Sequence, residues 1–391
     1  MIHVTHIITD MEFGGAETVL YRLVKGMRSD PQIRQQVISM VSIGTIGRKV
    51  EALGIPIRTL HMTPTVPNPL SLLQLIRWLR ADPPDVIQTW MYHADLIGGL
   101  AAKAAGGMPV AWGIRHSTLD PEGTKRMTHL TAHLSARWSR WLPTRIVSCS
   151  EVSKRVHLEL GYDGERMLVI PNGFDLNQLK PDADARSSFR KELNLPPETL
   201  LIGLMARFDP QKDQETFIKA AAMLHEQLPE VHFVLCGTEI EESNSTLMGW
   251  IEAANLQEHV HLMGVRSDVP RVTAAFDIAT SSSAFGEAFP NVLAEAMACG
   301  VPCVATDVGD AAIIIGETGI VVPTKDPEAL SRGWYSLLGE TSTEKRLELG
   351  LRARRRIENR YQQSSTVNQY KSLYQSMVLN PKPIHPASSI G

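Results

Sequence analysis

The sequence predicts two doubly wound α/β domains in series, and three observations predict it. Apolar runs of strand length alternate with helical patterns from end to end, the mark of parallel sheets covered by helices on both faces. The alternation breaks at Pro171-Asn172-Gly173 and a polar stretch from Asp175 to Asp184, then restarts. The 391 residues also exceed what one hydrophobic core usually serves.

The first half offers strands at Val4–Thr9, Gln36–Val41, Ile57–His61, Val86–Thr89, Val110–Ile114, Arg145–Ser148 and Met167–Ile170. Helical segments fall between them near 16–28, 70–81, 94–105, 126–140 and 151–160. After the break comes a helix near Ala185–Leu193, then strands at Leu201–Met205, His232–Cys236, Val260–Met263, Ile278–Ser281, Cys303–Thr306 and Gly319–Val322. Their helices lie near 213–227, 244–254, 268–275, 290–299 and 326–337, followed by a charged helix over 342–360 and another over 364–378. The expected division is a first domain over 1–173, a second over 174–363, a helix over 364–380 and a Pro/Ser-rich flexible tail over 381–391. Two such domains take a ligand in a cleft at the carboxyl ends of their strands.

Composition narrows the class. Apolar residues at 43% and charged residues at 21% exclude an extensively disordered chain. The four cysteines, Cys149, Cys236, Cys299 and Cys303, sit in apolar surroundings. Cys299 and Cys303 have no second Cys or His pair beside them, so reduced thiols of a cytoplasmic protein are expected and a metal site is not. No opening basic-then-apolar signal is present, and no apolar run reaches the ~18–20 residues of a membrane span. Residues 1–173 carry 19 Lys+Arg against 14 Asp+Glu, the remainder 20 against 28. A basic first half suits an anionic membrane surface or a phosphate-bearing partner; nothing points to nucleic acid.

The most informative stretch is 287–303, Glu-Ala-Phe-Pro-Asn-Val-Leu-Ala-Glu-Ala-Met-Ala-Cys-Gly-Val-Pro-Cys. Glu287 lies in the turn before a helix and Glu295 inside it. Pro290 fits the first helical turn, and Gly300 with Pro302 stops the helix. The amides of Asn291, Val292 and Leu293 then point out of a helix N-terminus, which attracts phosphate. Two acids around such an end suit a ligand carrying both hydroxyls and phosphate, such as a sugar nucleotide.

Other strand ends add groups. Gly14 and Gly15 follow the first strand, where backbone approaches a ligand closely or a turn needs positive φ. This is not a Gly-x-Gly-x-x-Gly fingerprint, and no acid stands where a nicotinamide cofactor requires one. Arg207 and Lys212, after the second domain's first strand, form a clamp for a diphosphate. His116 and His93 each follow a strand of the first domain and can touch a sugar or an acceptor. Asp182-Ala-Asp184 reads as solvated charge. The stretches Leu72–Ala81 and His133–Arg145 mix Arg with Trp, which suits a membrane interface as well as a packed helix.

With these residues in view, the chain from residue 1 to about 378 resembles a retaining glycosyltransferase of the GT-B fold, family 4 (group 1). Gly-Gly-Ala-Glu, Arg-Phe-Asp-Pro-Gln-Lys and the Glu-x7-Glu block appear in the expected order. The resemblance implies two Rossmann-like domains, the first for the acceptor and the second for the donor, and a last helix crossing back to the first. It implies that Arg207 and Lys212 hold the donor diphosphate, Glu287 the sugar hydroxyls and Glu295 the ribose. The amides of Ala288 and Phe289 would line the sugar, and those of Asn291 and Val292 would meet the distal phosphate. Gly15, beside Gly14, would let the first domain close over the phosphates, and Gly264, Val265 and Arg266 would contact the base. His116 matches the family's histidine at the reacting centre, while His93 stays an acceptor-side candidate. After Ala305-Thr-Asp-Val-Gly the family often has a second Gly and then a Glu; Asp310 and Ile313 stand there instead.

The expected activity is metal-independent transfer of a hexose-type sugar from a nucleoside diphosphate to an acceptor hydroxyl, with no cofactor. The setting is bacterial surface polysaccharide or glycolipid synthesis, on the cytoplasmic side, peripheral to an anionic membrane through the first domain. A lipid-linked glycan is the favoured acceptor. No carboxylate pair flanks the sugar as hydrolases require. A sugar-nucleotide epimerase of the same architecture and a non-catalytic nucleotide-sugar-binding subunit are the rival readings.

Overall fold

The computed structural model describes residues 1–12, 14–62, 69–117, 126–339 and 341–380. The expected tail over 381–391 lies outside the described residues. The chain divides into two compact units, Met1–Gly173 with Gln363–Gly391, and Phe174–Gln362.

The first unit runs β1 (Ile2–Ile8), α1 (Gly15–Met27), β2 (Ile33–Ser39), α2 (Gly44–Ala52), β3 (Ile57–Thr59), α3 (Pro69–Ala81), β4 (Val86–Trp90), α4 (Tyr92–Ala105), β5 (Val110–Ile114), α5 (Arg126–Trp138), β6 (Arg145–Ser148), α6 (Glu151–Glu159) and β7 (Met167–Val169). The second runs α7 (Ala183–Glu192), β8 (Leu201–Met205), α8 (Gln214–His225), β9 (His232–Cys236), α9 (Ser245–Ala253), β10 (Val260–Leu262), α10 (Val269–Ala274), β11 (Ile278–Ser281), α11 (Asn291–Ala298), β12 (Cys303–Thr306), α12 (Ala311–Ile315), β13 (Gly319–Val322), α13 (Pro327–Leu338) and α14 (Thr343–Arg360). A last helix, α15 (Gln363–Leu379), belongs to the first unit.

Both sheets are parallel, with orders β3-β2-β1-β4-β5-β6-β7 and β10-β9-β8-β11-β12-β13. In each, the order reverses beside the first strand of the unit, between β1 and β4 and between β8 and β11. A doubly wound sheet opens a crevice at the carboxyl ends of its strands where that reversal occurs. The strands form because their apolar runs are buried on both faces; Leu201, Ile202, Phe233, Val234, Ile278, Cys303 and Val304 are fully enclosed. Two expectations need correction. The second strand begins at Ile33 rather than Gln36, because its register pairs Ile2 with Ile33 and Ile8 with Ser39. Helices α2 and α12 were not expected.

The first sheet has a core on each side, one under α1 and α15, the other under α3, α4 and α5. Val19, Leu20, Leu23, Val24 and Met27 give α1 its buried stripe at helical spacing. The last helix docks beside it. Tyr370 accepts a 2.6 Å bond from Arg115, whose guanidinium lies 4.5 Å over the Trp90 ring. Gln363 donates to the Arg22 carbonyl at 2.6 Å, and Lys371 pairs with Asp30. In the second unit, Asp277 is buried before β11 and binds Arg190 at 2.7 Å and Arg186 at 2.9 Å, tying α7 to the sheet. A Cβ on Gly350 would come within 1.9 Å of the Gly300 carbonyl oxygen, so glycine is what lets α14 rest on the end of α11.

Candidate active site

Two loops at the second unit's reversal, after β8 and after β11, are laced together. The first turns at Asp209, whose carboxylate accepts from the Gln211 amide at 2.9 Å and whose carbonyl accepts from the Lys212 amide at 2.8 Å. Asp213 then takes a left-handed conformation (φ 49°) and caps α8, accepting from the Thr216 amide at 3.1 Å and hydroxyl at 2.7 Å. Gln214 Nε2 donates to the Arg207 carbonyl at 2.7 Å. Across the gap, the Ala284 amide donates to the Gln211 carbonyl at 2.8 Å and Ser282 Oγ to the Lys212 carbonyl at 2.7 Å.

This lacing sets the chemistry. Lys212 Nζ is bonded to Glu287 Oε1, and Ser283 Oγ donates to the same oxygen at 2.9 Å. The Glu287 side chain is only 12% exposed. Burial by itself raises its carboxyl; the Lys212 charge and bond, the Ser283 bond and the Arg207 charge outweigh that and hold it below the ordinary range. Arg207 stands at the rim, 55% exposed and paired with Asp209 at 2.9 Å. Lys212, Arg207 and Glu287 therefore converge, with one cation half-buried beside the acid and the other reaching outward.

The turn after β12 supports Glu287 from behind. Gly309 has φ 59°, and a Cβ there would lie 2.2 Å from the Glu287 carbonyl oxygen. The next amide, of Asp310, donates to the Ala288 carbonyl at 3.0 Å. Phe289 is buried between Phe174 and Tyr361, with ring centroids at 6.0 and 5.4 Å, so its side chain is structural and only its backbone faces the loop. Two expectations are corrected here. Pro290 precedes α11 in an extended conformation instead of occupying its first turn, and the Leu293 amide donates to the Pro290 carbonyl at 3.1 Å, so it does not point outward. Asn291 and Val292 open α11, and Glu295 is half-buried one turn in. Past β10, the Gly264 carbonyl accepts from the Gly237 amide at 2.8 Å, and Val265 is exposed. Arg266 binds Glu192 and Asp268 at 2.8 Å each, which leaves backbone and Val265 as this segment's offering.

At the first unit's reversal the groups are of another kind. Gly14 caps α1 with φ −162°, an extended conformation, and Gly15 is not left-handed either; positive φ is not why glycines stand there. A Cβ on Gly14 would instead meet the Glu17 carboxylate at 2.2 Å. His93 is half-buried on α4, with its imidazole pKa lowered by burial. His116, after β5, stacks on Tyr92 at 6.3 Å, and its carbonyl accepts from Ser153 Oγ at 2.5 Å. The Tyr92 hydroxyl and His157 Nε2 are 2.7 Å apart, and His157 Nδ1 lies 2.7 Å from the Ser153 carbonyl. A carbonyl only accepts, so Nδ1 carries the proton and Nε2 accepts from Tyr92. Burial lowers the His157 pKa to about 4, which keeps that tautomer neutral. Among the described residues no group of three or more His, Cys, Asp or Glu is placed to hold a metal ion.

Sequence reasoning did not single out Ser282, Ser283, Gln211, Asp213, Tyr92 or His157. Loop serines and a tyrosine carry no pattern of their own; only the topology makes them neighbours of the charged groups.

Comparison with other proteins joins this geometry to a family. The glycosyl transferases group 1 model matches residues 185–356, and the glycosyltransferase family 4 model matches residues 13–178. The UDP-Gal:alpha-D-GlcNAc-diphosphoundecaprenol alpha-1,3-galactosyltransferase of Escherichia coli is 26% identical over 320 residues, covering 79% of this chain and 80% of that protein. The phosphatidyl-myo-inositol mannosyltransferase of Mycobacterium leprae is 27% identical over 320 residues, covering 80% and 79%. Among solved structures, Anabaena HepE in complex with UDP-glucose superposes with a TM-score of 0.84 at 22% identity, over 96% of this chain and all of that one. With its two parallel-sheet units and its matches to both family models, the chain belongs to the group 1, family 4 glycosyltransferases of the GT-B fold.

Proposed function

We propose that this glycosyltransferase moves a hexose-type sugar from a nucleoside diphosphate to an acceptor hydroxyl, with its anomeric configuration kept and without a metal ion. The observation that carries the reading is the meeting of Lys212 and Ser283 on the enclosed Glu287 carboxylate, at the sheet reversal and beside the start of α11. An ionised carboxylate held below its ordinary pKa accepts hydrogen bonds only, which suits sugar hydroxyls. Lys212 rests on Glu287; a donor's diphosphate offers it a second anion, with Arg207 as the outer jaw. As the sugar–phosphate bond breaks, charge grows on the leaving diphosphate. Lys212, Arg207 and the amides opening α11 stabilise it, in the role a metal plays elsewhere. The departing phosphate oxygen takes the acceptor's proton while the new bond forms on the same face of the sugar. His116 belongs to the reacting centre in this reading.

The relatives' own substrates guide the choice of donor and acceptor. One uses UDP-Gal and a diphosphoundecaprenol-linked sugar, and HepE has been captured with UDP-glucose. UDP-hexoses are therefore the first donors to test, lipid-linked glycans the first acceptors, and bacterial surface polysaccharide or glycolipid synthesis the setting, at an anionic membrane surface. No helix among the described residues is long and apolar enough to cross a membrane. The decisive experiment incubates the protein with UDP-, GDP- and ADP-hexoses and an acceptor, with and without chelator, and reads the product's anomeric proton coupling by NMR. An inverted product sinks the retaining mechanism. Loss of turnover on chelation that magnesium restores sinks the metal-free one.

A further inference from the structure

Helix α5 is built inside out. Thr131, Ala132, Ser135 and Ala136 are buried, and Ser139 just beyond the helix joins them. The inward side is fastened by polar contacts: the Tyr162 hydroxyl donates to the Ala132 carbonyl at 3.2 Å, and the Asp163 amide to Ser139 Oγ at 2.9 Å. The large apolar side chains point the other way. Met127, Leu130, Leu134, Trp138 and Trp141 are all exposed, up to 60% for Trp141. The spacing of Met127, Leu130, Leu134 and Trp138 puts them on one stripe of α5, and Trp141 follows in the turn just past the helix. Trp138 and Trp141 meet edge to face at 6.3 Å, so the stripe ends in a paired aromatic anchor. A helix whose outward face holds the apolar residues has left them for something other than its own core.

The charge around the stripe says what covers it. Helices α3, α4 and α5 pack side by side. Together they contain a single acid, Asp95, which is buried. Of their cations, Arg77, Arg80, Lys103 and Arg137 are exposed, as is Arg140 just past α5. Leu70 and Leu73 are exposed on α3 as well. A second copy meeting this same face would set cation against cation. A surface bearing fixed negative charge over an apolar interior matches both features, and tryptophan prefers that boundary.

We propose that the outward face of α5, centred on Leu134, Trp138 and Trp141, lies in the headgroup layer of an anionic bilayer, with Arg137 and Arg140 on the lipid phosphates. This deepens the membrane contact of the proposed function and rests on that reading only for the acceptor's location; the physical contact stands apart from the chemistry.

The test is co-sedimentation of the full chain with vesicles of phosphatidylglycerol and phosphatidylcholine, or of phosphatidylcholine alone, with tryptophan emission as second readout. The expected result is binding to the anionic vesicles, weakened by salt, with a blue-shifted emission. Arg137→Gln with Arg140→Gln lowers the partition by roughly 30-fold at low salt. Trp138→Ser with Trp141→Ser abolishes both sedimentation and shift, while the thermal melt stays unchanged because these side chains are already exposed. No binding to anionic vesicles, or binding indifferent to both double variants, overturns the proposal. So does a concentration-dependent dimer, seen by light scattering, that the tryptophan variant dissolves in the absence of vesicle binding. Vesicle binding without sugar transfer from any nucleotide sugar sinks the transferase reading and leaves this face assigned; transfer to a soluble acceptor without vesicle binding does the reverse.

Discussion

Two acids largely withdrawn from solvent, one in each unit, are driven in opposite directions. Asp95 on α4 is 1% exposed. Burial lifts its carboxyl to about 7, against the weaker pull of Thr89, the Gly113 amide and the Arg115 charge. Glu287 is also enclosed, yet the Lys212 bond and charge, with Ser283 and Arg207, hold it below its ordinary value. The two units share one architecture, so the difference lies in the loops. The Asp95 side chain sits under the sheet end, bound to the Thr89 hydroxyl at 2.5 Å and the Gly113 amide at 3.0 Å, and it locks β4 to β5. Glu287 sits on a loop that a second loop supplies with a cation. An acid with only neutral donors becomes structure; an acid that a second loop supplies with a cation becomes a place for a ligand.

The comparison breaks most sharply at Lys212 and Glu287. Glu287→Gln or Lys212→Ala lowers kcat by ~10²–10³, about 3–4 kcal/mol of barrier, with circular dichroism unchanged. The pair acts as a unit, so the double variant is little worse than either single one. Lys212→Ala carries a further signature. Without the ammonium, burial becomes the ruling influence on Glu287, and the acid limb of the pH–rate profile moves to higher pH. An acid limb that stays in place in Lys212→Ala shows that the lysine does not govern the carboxylate.

The turn behind Glu287 gives a smaller effect. Gly309→Ala places a side chain in the left-handed region and against the Glu287 carbonyl oxygen. It costs about 1–2 kcal/mol of stability, and turnover falls by more than the melt alone explains, because the displaced carbonyl belongs to the loop that carries the acid. Equal losses in Gly309→Ala and in a stability-matched core variant would show the turn to be packing alone.

Asp95→Asn tests the other side of the contrast. The folded pKa lies above the unfolded one, so the native state holds the extra proton between roughly 4 and 7, and stability falls as pH rises through that window. The amide keeps the acceptor for Thr89 and Gly113 and carries no charge. Thermal melts of Asp95→Asn are expected to match the native chain near pH 5 and exceed it at pH 8. A variant that is less stable at pH 8 shows the carboxylate to be ionised and needed.

What could be read from the sequence follows the same division. Strands buried on both faces announce themselves as apolar runs, and Val110–Ile114, Leu201–Met205, His232–Cys236 and Cys303–Thr306 have the bounds expected of them. Helix α2, with Gly44 and Gly47 inside it, and the five-residue α12 carry too little periodicity to see. Charged residues at strand ends are visible as types. Their partnership is not: Lys212 and Glu287 are 75 residues apart, and only the adjacency of β8 and β11 brings them together. Ser283 and Ser282 carry no signal in sequence because a serine's meaning lies wholly in what it faces.

The gentlest expected effect lies at the opposite edge of the second sheet, where four histidines crowd. His232 opens β9 and lies 3.0 Å from His261 on β10; the His259 ring lies tilted between His232 and His225, with centroids 4.8 and 4.2 Å away. Burial first, then the charges of its three neighbours, lower the His232 pKa to about 4. Here the unfolded state binds the proton more readily, so stability is complete above about 6.5 and declines as pH falls toward 4. His6 and His157 in the first unit are lowered to about 4 as well, by burial, so the melt of the whole chain sums several sites. His232→Gln isolates one of them. It removes a titrating ring, so the drop in melting temperature between pH 6.5 and 4.5 is expected to shrink by a few degrees. Transfer at neutral pH is left untouched, because the cluster lies at the amino ends of the strands and Lys212 and Glu287 at the carboxyl ends. An acid melt of His232→Gln as steep as the native one shows that His232 does not carry the pH sensitivity.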